Sequence, residues 1–456
     1  MPPRFRSSAV CLALAFLPFA GAAAAQPGFD RARMDSLFDV LERNDRMMGA
    51  VTVRKGERVI YQRALGLREV AARAPADAET MFRVGSVTKV FTAAMIYQLV
   101  DEKRLSLDTP LARFFPRVAG AARITIADLL GHTSGLPDYS AGPDRRTPLT
   151  RAELARRIES LPAAFEPGTR WQYSNTNYAL LGFIVEAVTR STYGEQLDRR
   201  IVRRAGLRRT RYGGAVNPAA NEARAYFYDD GGWRPQPDES LELAAGAGAV
   251  VSTTADLTRF IAALFAGRLV SAASLAEMQR GTPDPSGYPH GKGFSPFTVP
   301  NAGRSGFSHN GSVGAFTAVL GYVPCDSLAV ALTINGHNYP QNRIFFAVWG
   351  ILYGTPVTPP SFAPVQLADS ALAPLEGTYA SAAWGLTITV RRTADGLQAQ
   401  TEGQAPFPLT AVGARTFQYV KDGILVEFSE PGTGVAPGFT LFQQTAAIVL
   451  TRRGAP

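Results

Sequence analysis

The apolar positions of this chain follow two rhythms, one helical and one alternating. Between Arg31 and Met47 the residues Met34, Leu37, Val40 and Leu41 recur at three-to-four spacing, which predicts an amphipathic first helix. Ala50-Val51-Thr52-Val53-Arg54 and Val59-Ile60-Tyr61-Gln62 flank Lys55-Gly56-Glu57 and predict a hairpin. The run from Val90 to Val100, directly after Val84-Gly85-Ser86-Val87-Thr88-Lys89, is apolar on nearly every helical face. It therefore predicts a helix buried in the middle of a large domain. Ile124 to Leu130 predicts a short helix that stops at Gly131-His132-Thr133-Ser134-Gly135, where glycine supplies left-handed backbone and His132 reads as structural. Helical signals fill Thr150 to Leu207, including Ala152 to Ser160 and Thr176 to Thr189, with Asn175 or Thr176 suited to cap the latter. Thr253-Thr254-Ala255-Asp256 is a capping-box-like opening for Leu257 to Phe265.

Alternation returns late in the chain. Ala315 to Tyr322 and Ser327 to Ile334 pair across Pro324-Cys325-Asp326, and Arg343 to Tyr353 predicts a last apolar helix. With strands at both ends and helices between, the expected fold class is α+β: an antiparallel sheet flanked by helices, a helical subdomain beside it, and a cleft between the two. The prolines from Pro356 to Pro374 read as a stiff linker. Beyond them Leu386 to Arg391, Leu397 to Thr401, Thr416 to Val420, Ile424 to Phe428 and Thr440 to Arg452 predict a small C-terminal antiparallel β-barrel. The expected division is a leader over 1–25, a main domain over 26–357, a linker over 358–372 and the barrel over 373–456.

Composition narrows the setting. The 456 residues are 46% hydrophobic, enough for a sizeable core. Arg4 and Arg6, an apolar stretch from Ala9 to Ala20 and Ala23-Ala24-Ala25 form the pattern of a secretory signal peptide cut after Ala25. Its apolar core is too short to span a bilayer comfortably, and no later run is long enough, so a periplasmic or secreted protein is expected. Cys11 would leave with that leader, and Cys325 alone forms no internal disulfide. The net charge of +9 falls by the two leader arginines to +7. The basic stretch Arg199, Arg200, Arg203, Arg204, Arg208, Arg209 and Arg211 reads as a solvated helix face and turn. An anionic cell-envelope surface is a candidate partner through long-range attraction, whereas no aromatic-interleaved basic motif points to nucleic acid.

The chemistry begins at Ser86 and Lys89, which share one helical face a turn apart. A lysine drawn into an interior loses hydration and its pKa falls, so it can take a proton from a serine; arginine keeps its proton. The chain holds five lysines against 42 arginines (47 minus 5), and of the five only Lys89 has a serine three residues before it. A capping serine and a snorkelling lysine would account for the pair without chemistry. Two further stretches decide against that reading: Tyr173-Ser174-Asn175, and His309-Asn310-Gly311-Ser312 at the start of the late hairpin.

In that order, the three motifs resemble those of the serine hydrolases of the class C β-lactamase and D-alanyl-D-alanine carboxypeptidase family. The likeness extends to Phe82-Arg83-Val84-Gly85, to Leu129 through Leu136 and to the Ser252 to Leu257 helix start, and covers roughly residues 30 to 350. It implies that Ser86 is the nucleophile, with Lys89 and Tyr173 sharing the proton work and either of them as base. A phenol near an ammonium should ionise more easily. Asn175 would orient the substrate, the backbone N–H groups of Ser86 and Ser312 would form an oxyanion hole, and Gly311 would let the substrate lie close to the strand edge. His309 stands where many β-lactamases carry lysine, which favours peptidase or esterase chemistry. The barrel is similar to lipocalin-like modules that follow some of these hydrolases.

No Gly-x-Ser-x-Gly elbow and no His-Glu-x-x-His occur, and His290 and His337 lack ligand spacing, so neither metal nor cofactor is expected. The expected function is hydrolysis of an ester, a peptide-like amide or a β-lactam through an acyl-Ser86 intermediate. The rivals are an acylated sensor that does not turn over, and a binding protein acting through its barrel.

Overall fold

The computed structural model describes residues 29–141, 149–229, 231–237, 239, 241–430 and 434–454. The leader expected over 1–25 lies outside the described residues.

The main strands are β1 (Met47–Lys55), β2 (Arg58–Leu65), β3 (Ser295–Val299), β4 (Arg304–Val313), β5 (Phe316–Val323) and β6 (Leu328–His337). They form one sheet in the order β3-β4-β5-β6-β1-β2, every neighbour antiparallel. The two ends of the domain therefore meet at the β1–β6 pair, as the alternation pattern predicts. One departure is a parallel bridge from Tyr226 to Gly336, through which the short hairpin Tyr226–Asp229 and Gly232–Pro235 joins the sheet.

The long helices are α1 (Arg31–Arg43), α2 (Thr88–Asp101), α3 (Asn175–Thr189), α4 (Thr254–Phe265) and α5 (Gln341–Leu352). Side chains alternate across β6. Leu328, Val330, Leu332 and Ile334 face α1 and α5, while Ala329 and Ala331 belong to the core on the side of α4. Alanine there lets a helix lie close to the sheet. Helix α1 stops before Met47 and buries Phe38 where Val40 was expected; Val40 is half-buried.

Helix α2 is buried from Thr88 through Leu99, on every face. It runs between α3 and the segment Leu241–Gly248, and its C-terminal end is anchored by Arg200. That arginine is 2% exposed and donates twice to the Glu102 carboxylate, at 2.6 and 3.0 Å. The basic stretch is therefore not wholly a solvated face: one of its members is a buried tie.

The C-terminal strands close into an eight-stranded antiparallel barrel. Two of them, Gly377–Ser381 and Phe407–Ala411, were not marked by the pattern, and the expected strand Thr440 to Arg452 is two, Gly438–Gln443 and Ala446–Arg452. The break falls at Gln444, whose φ of 51° makes a tight turn without glycine, asparagine or proline to announce it. The proline-rich segment is fixed to the main domain by Phe362, which is buried against Tyr339 and lies under the Arg46 guanidinium at 4.3 Å. Among the described residues no helix is long and apolar enough to cross a membrane.

Candidate active site

Ser86, the candidate nucleophile, lies in a 3-10 turn, Gly85–Val87, that runs directly into α2. Gly85 has φ +50°, and a Cβ there would meet Ser312 N at 2.6 Å. Gly311 on β4 faces it: a Cβ at 311 would strike the Val84 carbonyl and come within 2.7 Å of Ser86 N. The two glycines thus let the backbone carrying the Ser86 N–H and that carrying the Ser312 N–H pack against each other. Gly311 was expected to clear space for substrate; the space it clears is for the turn carrying Ser86.

Lys89 is fully buried, and its Nζ lies 3.0 Å from Ser86 Oγ, 2.8 Å from Asn175 Oδ1 and 2.8 Å from the Ala247 carbonyl. The last two can only accept. A neutral amine has two N–H bonds and one lone pair, so with both N–H bonds given to Asn175 and Ala247 the lone pair is left for the Ser86 hydroxyl. Burial pushes the lysine pKa down to about 7, opposed by the Asp138 carboxylate. The Ala247 carbonyl comes from a segment holding Ala245 at φ 41°, ψ −135°, a conformation L residues rarely adopt.

Tyr173 is half-buried beside this pair, with its ring 4.9 Å from Lys89 Nζ. Its phenol hydrogen-bonds Ser86, yet burial outweighs that and raises its pKa. The expected easing of ionisation by the lysine does not occur, because desolvation dominates. The Tyr173 ring stacks on His132 at 4.5 Å. His132 Nδ1 accepts from Ser174 N–H at 3.2 Å, so the ring is a neutral acceptor that fixes the Tyr173-Ser174-Asn175 turn, and burial holds its pKa well below the ordinary value. The left-handed residues of its own turn are His132 itself (φ 57°) and Gly135 (φ 76°), not Gly131.

Asn175 begins α3 and is not its cap; that position is Ser174, without a side-chain cap bond. The Asn175 amide nitrogen donates to Asp138 Oδ2 at 2.8 Å and to Ser140 Oγ at 3.1 Å. Both amide protons are thereby spent inside the protein, and the oxygen is aimed at Lys89. Asp138 has no sequence signal beyond standing two residues after the Leu129–Leu136 stretch. Asp138→Asn is expected to lower the Lys89 pKa, moving the acid limb of the kcat/KM profile to lower pH. The plateau would fall about tenfold through the lost charge-assisted bond. A pH profile with its limb unmoved would show that the carboxylate does not act on Lys89.

His309 on β4 is half-buried, and its Nδ1 donates to the Asn310 carbonyl. Burial, then the Lys89 charge, lower its pKa. Two cavities lie at the site. One of about 80 Å³ is lined by Ser86, Asn175 and Ser312 together with Glu239, Ala244 and Ala247. The other, of about 350 Å³, is lined by Tyr173 and His309 among others. Among the described residues no lysine or arginine lines either cavity, and no cluster of His, Cys, Asp and Glu could hold a metal.

A family profile described as Beta-lactamase matches residues 34–345, most of the chain. The chain belongs to the β-lactamase family. This is the serine-hydrolase family that the three motifs resemble, over nearly the same span. Penicillin-binding protein 4* of Bacillus subtilis is 31% identical over 262 residues, 54% of this chain and 58% of that protein. Esterase EstB of Burkholderia gladioli is 35% identical over 48% of this chain and 61% of its own. The chain thus spans about three fifths of each of these two relatives. Penicillin-binding protein 4 of Amycolatopsis lactamdurans is 30% identical over 77% of this chain and 98% of its own. Among solved structures, the octameric penicillin-binding protein homologue from Pyrococcus abyssi superposes with a TM-score of 0.65 at 25% identity, covering 92% of this chain and 99% of that one. The D-amino acid amidase of Ochrobactrum anthropi superposes at 0.60 and 28% identity, covering 67% and 91%. This β-lactamase-family chain therefore resembles penicillin-binding proteins, an esterase and an amidase alike, and its substrate has to be argued from its own site.

Proposed function

We propose that the protein hydrolyses an ester or an uncharged amide through an acyl-Ser86 intermediate, with Lys89 as the base. The supporting observation is the Lys89 lone pair left to Ser86 Oγ at 3.0 Å, on an amine whose pKa lies at about 7. Neutral Lys89 takes the hydroxyl proton as Oγ attacks the carbonyl carbon. The Ser86 and Ser312 N–H groups receive the negative oxygen, a contact typically worth about 3 kcal/mol. The proton then passes from the lysine ammonium, through the Tyr173 phenol, to the leaving atom as its bond to carbon breaks. Water enters by the same route, giving its proton to Lys89, and Ser86 is restored with release of the acid. The high pKa of Tyr173 suits a proton carrier and not a resting base.

A neutral His309, and cavities that no lysine or arginine lines among the described residues, offer little to a substrate carboxylate. β-Lactams and peptides ending in a free carboxylate are accordingly poorer substrates in this reading. The test is a panel of p-nitrophenyl esters, D-amino-acid amides and peptides and a chromogenic cephalosporin, on wild type and Ser86→Ala. Wild type should turn over the esters and amides, and the variant none. Time-resolved mass spectrometry should show an adduct on Ser86 that decays; one that persists with every substrate would replace the hydrolase with an acylated sensor. Export with cleavage after Ala25 belongs to the same proposal, and the spectrum of the protein from its native host would then start at Gln26.

A further inference from the structure

The larger cavity extends away from Ser86 and Lys89, neither of which lines it. Its walls are aromatic, with Trp171, Phe294, Phe297 and Phe345 among them. Trp171 stacks on His290 at 3.9 Å, and His290 is itself held by Ser295 at 3.0 Å and Asp284 at 3.1 Å. Such a rigid apolar wall calls for a flat apolar occupant.

Several amide and indole groups at this wall are incomplete. Gln341 is 1% exposed, and neither its amide nitrogen nor its amide oxygen has a partner in the protein. Trp171 Nε1 and Asn342 Oδ1 are likewise without one. Buried amides are nearly always satisfied, because an unmade bond costs about 1–3 kcal/mol. A glutamine with donor and acceptor both open is the complement of another amide.

The second domain supplies part of the wall. Gln341 and Asn342 open α5, and Asn342 is tied to the barrel turn at Gln444: its backbone N–H donates to the Gln444 carbonyl at 3.4 Å and its Nδ2 to the Ala446 carbonyl at 2.9 Å. Between them Thr445 lines the cavity. The Arg343–Glu427 ion pair at 2.7 Å fixes the same contact.

Tyr173, the proton carrier, lines this cavity, and the leaving atom has to be within its reach. The smaller pocket beside Ser86, lined by Ala244, Ala247 and Gly248, is left for a small acyl group. The geometry points to a leaving-group subsite, walled in part by the C-terminal barrel, for an uncharged aromatic group that carries an amide. This assignment of the leaving group rests on the acyl-Ser86 reading.

The acetyl esters of 4-hydroxybenzamide and 4-hydroxybenzoate place the same acetyl group on Ser86, so a difference in kcat/KM arises in acylation, with the leaving group bound. Divided by each ester's rate with hydroxide, kcat/KM should favour the benzamide by about tenfold, the worth of one hydrogen bond to a buried partner. Gln341→Leu, and separately Thr445→Trp on the barrel turn, should each bring that ratio close to one. A wild-type ratio of one or less, or a ratio unchanged in both variants, overturns the subsite. Calorimetric titration of Ser86→Ala with 4-hydroxybenzamide and 4-hydroxybenzoate reads the same preference without turnover. Saturable binding of the benzamide that Thr445→Trp abolishes supports the subsite even if no ester is hydrolysed, in which case only the acyl-Ser86 reading fails. Hydrolysis without preference and without binding leaves that reading standing and removes the subsite.

Discussion

Replacing Lys89 by arginine lowers kcat/KM by about a thousandfold or more, although charge and approximate length are kept. The wild-type lysine is buried, and its pKa of about 7 leaves a substantial neutral fraction at neutral pH. Guanidinium stays protonated and offers Ser86 no lone pair. The sign of the pH dependence follows from the same group. The base works when deprotonated, so wild-type kcat/KM rises as pH increases through about 7 and then levels. Residual activity of Lys89→Arg should lack that rise. The measurement is kcat/KM for one p-nitrophenyl ester from pH 5 to 9, with circular dichroism to show that the variant is folded. An arginine variant within a few fold of wild type would move the base to another residue.

The second large effect is expected at Gly311, a residue that touches no proton. An alanine methyl there would enter the space of the Val84 carbonyl and stand 2.7 Å from Ser86 N. Neither is the end of a flexible side chain, so β4 and the turn carrying Ser86 have to separate. Overpacking of this kind costs roughly 3 kcal/mol of stability, and displacing an oxyanion donor by an ångström costs about a hundredfold in rate. Thermal unfolding and kcat on Gly311→Ala should report both losses, whereas Ser312→Ala, which keeps the backbone N–H, should stay within about tenfold of wild type. Full activity in Gly311→Ala would mean that Ser86 and Ser312 do not act as one oxyanion site.

Much of this was readable from spacing because the signals are local. Ser86 and Lys89 lie a turn apart on one helix, and a run without a polar face has to be a central helix; α2 is buried accordingly. The sheet from both chain ends followed from where the alternating stretches lie. What the chain does not advertise is apposition. Asp138 takes the Asn175 amide that was expected to face substrate, and His132 props the turn carrying Tyr173. Neither contact has a spacing rule, since each partner comes from a different segment. The lysine was expected to ease ionisation of Tyr173, but a sequence does not show how deeply a phenol is buried. The barrel turn at Gln444 was missed for a local reason: its left-handed residue is a glutamine, and strand signals run through it on both sides.

The placing of β1 between β2 and β6 also bears on how the protein reaches this state. Met47 pairs with His337, 337 minus 47 or 290 positions further on. A ribosome must therefore complete nearly the whole main domain before the central hydrogen-bonded ladder can close. Helix α2 has its neighbours α3 and Leu241–Gly248 before that point, whereas the sheet on which α4 packs is still open. Contacts of such long range slow folding and leave collapsed intermediates prone to association. Refolding from denaturant should therefore be slow for the size of the chain, and its yield should fall as protein concentration rises.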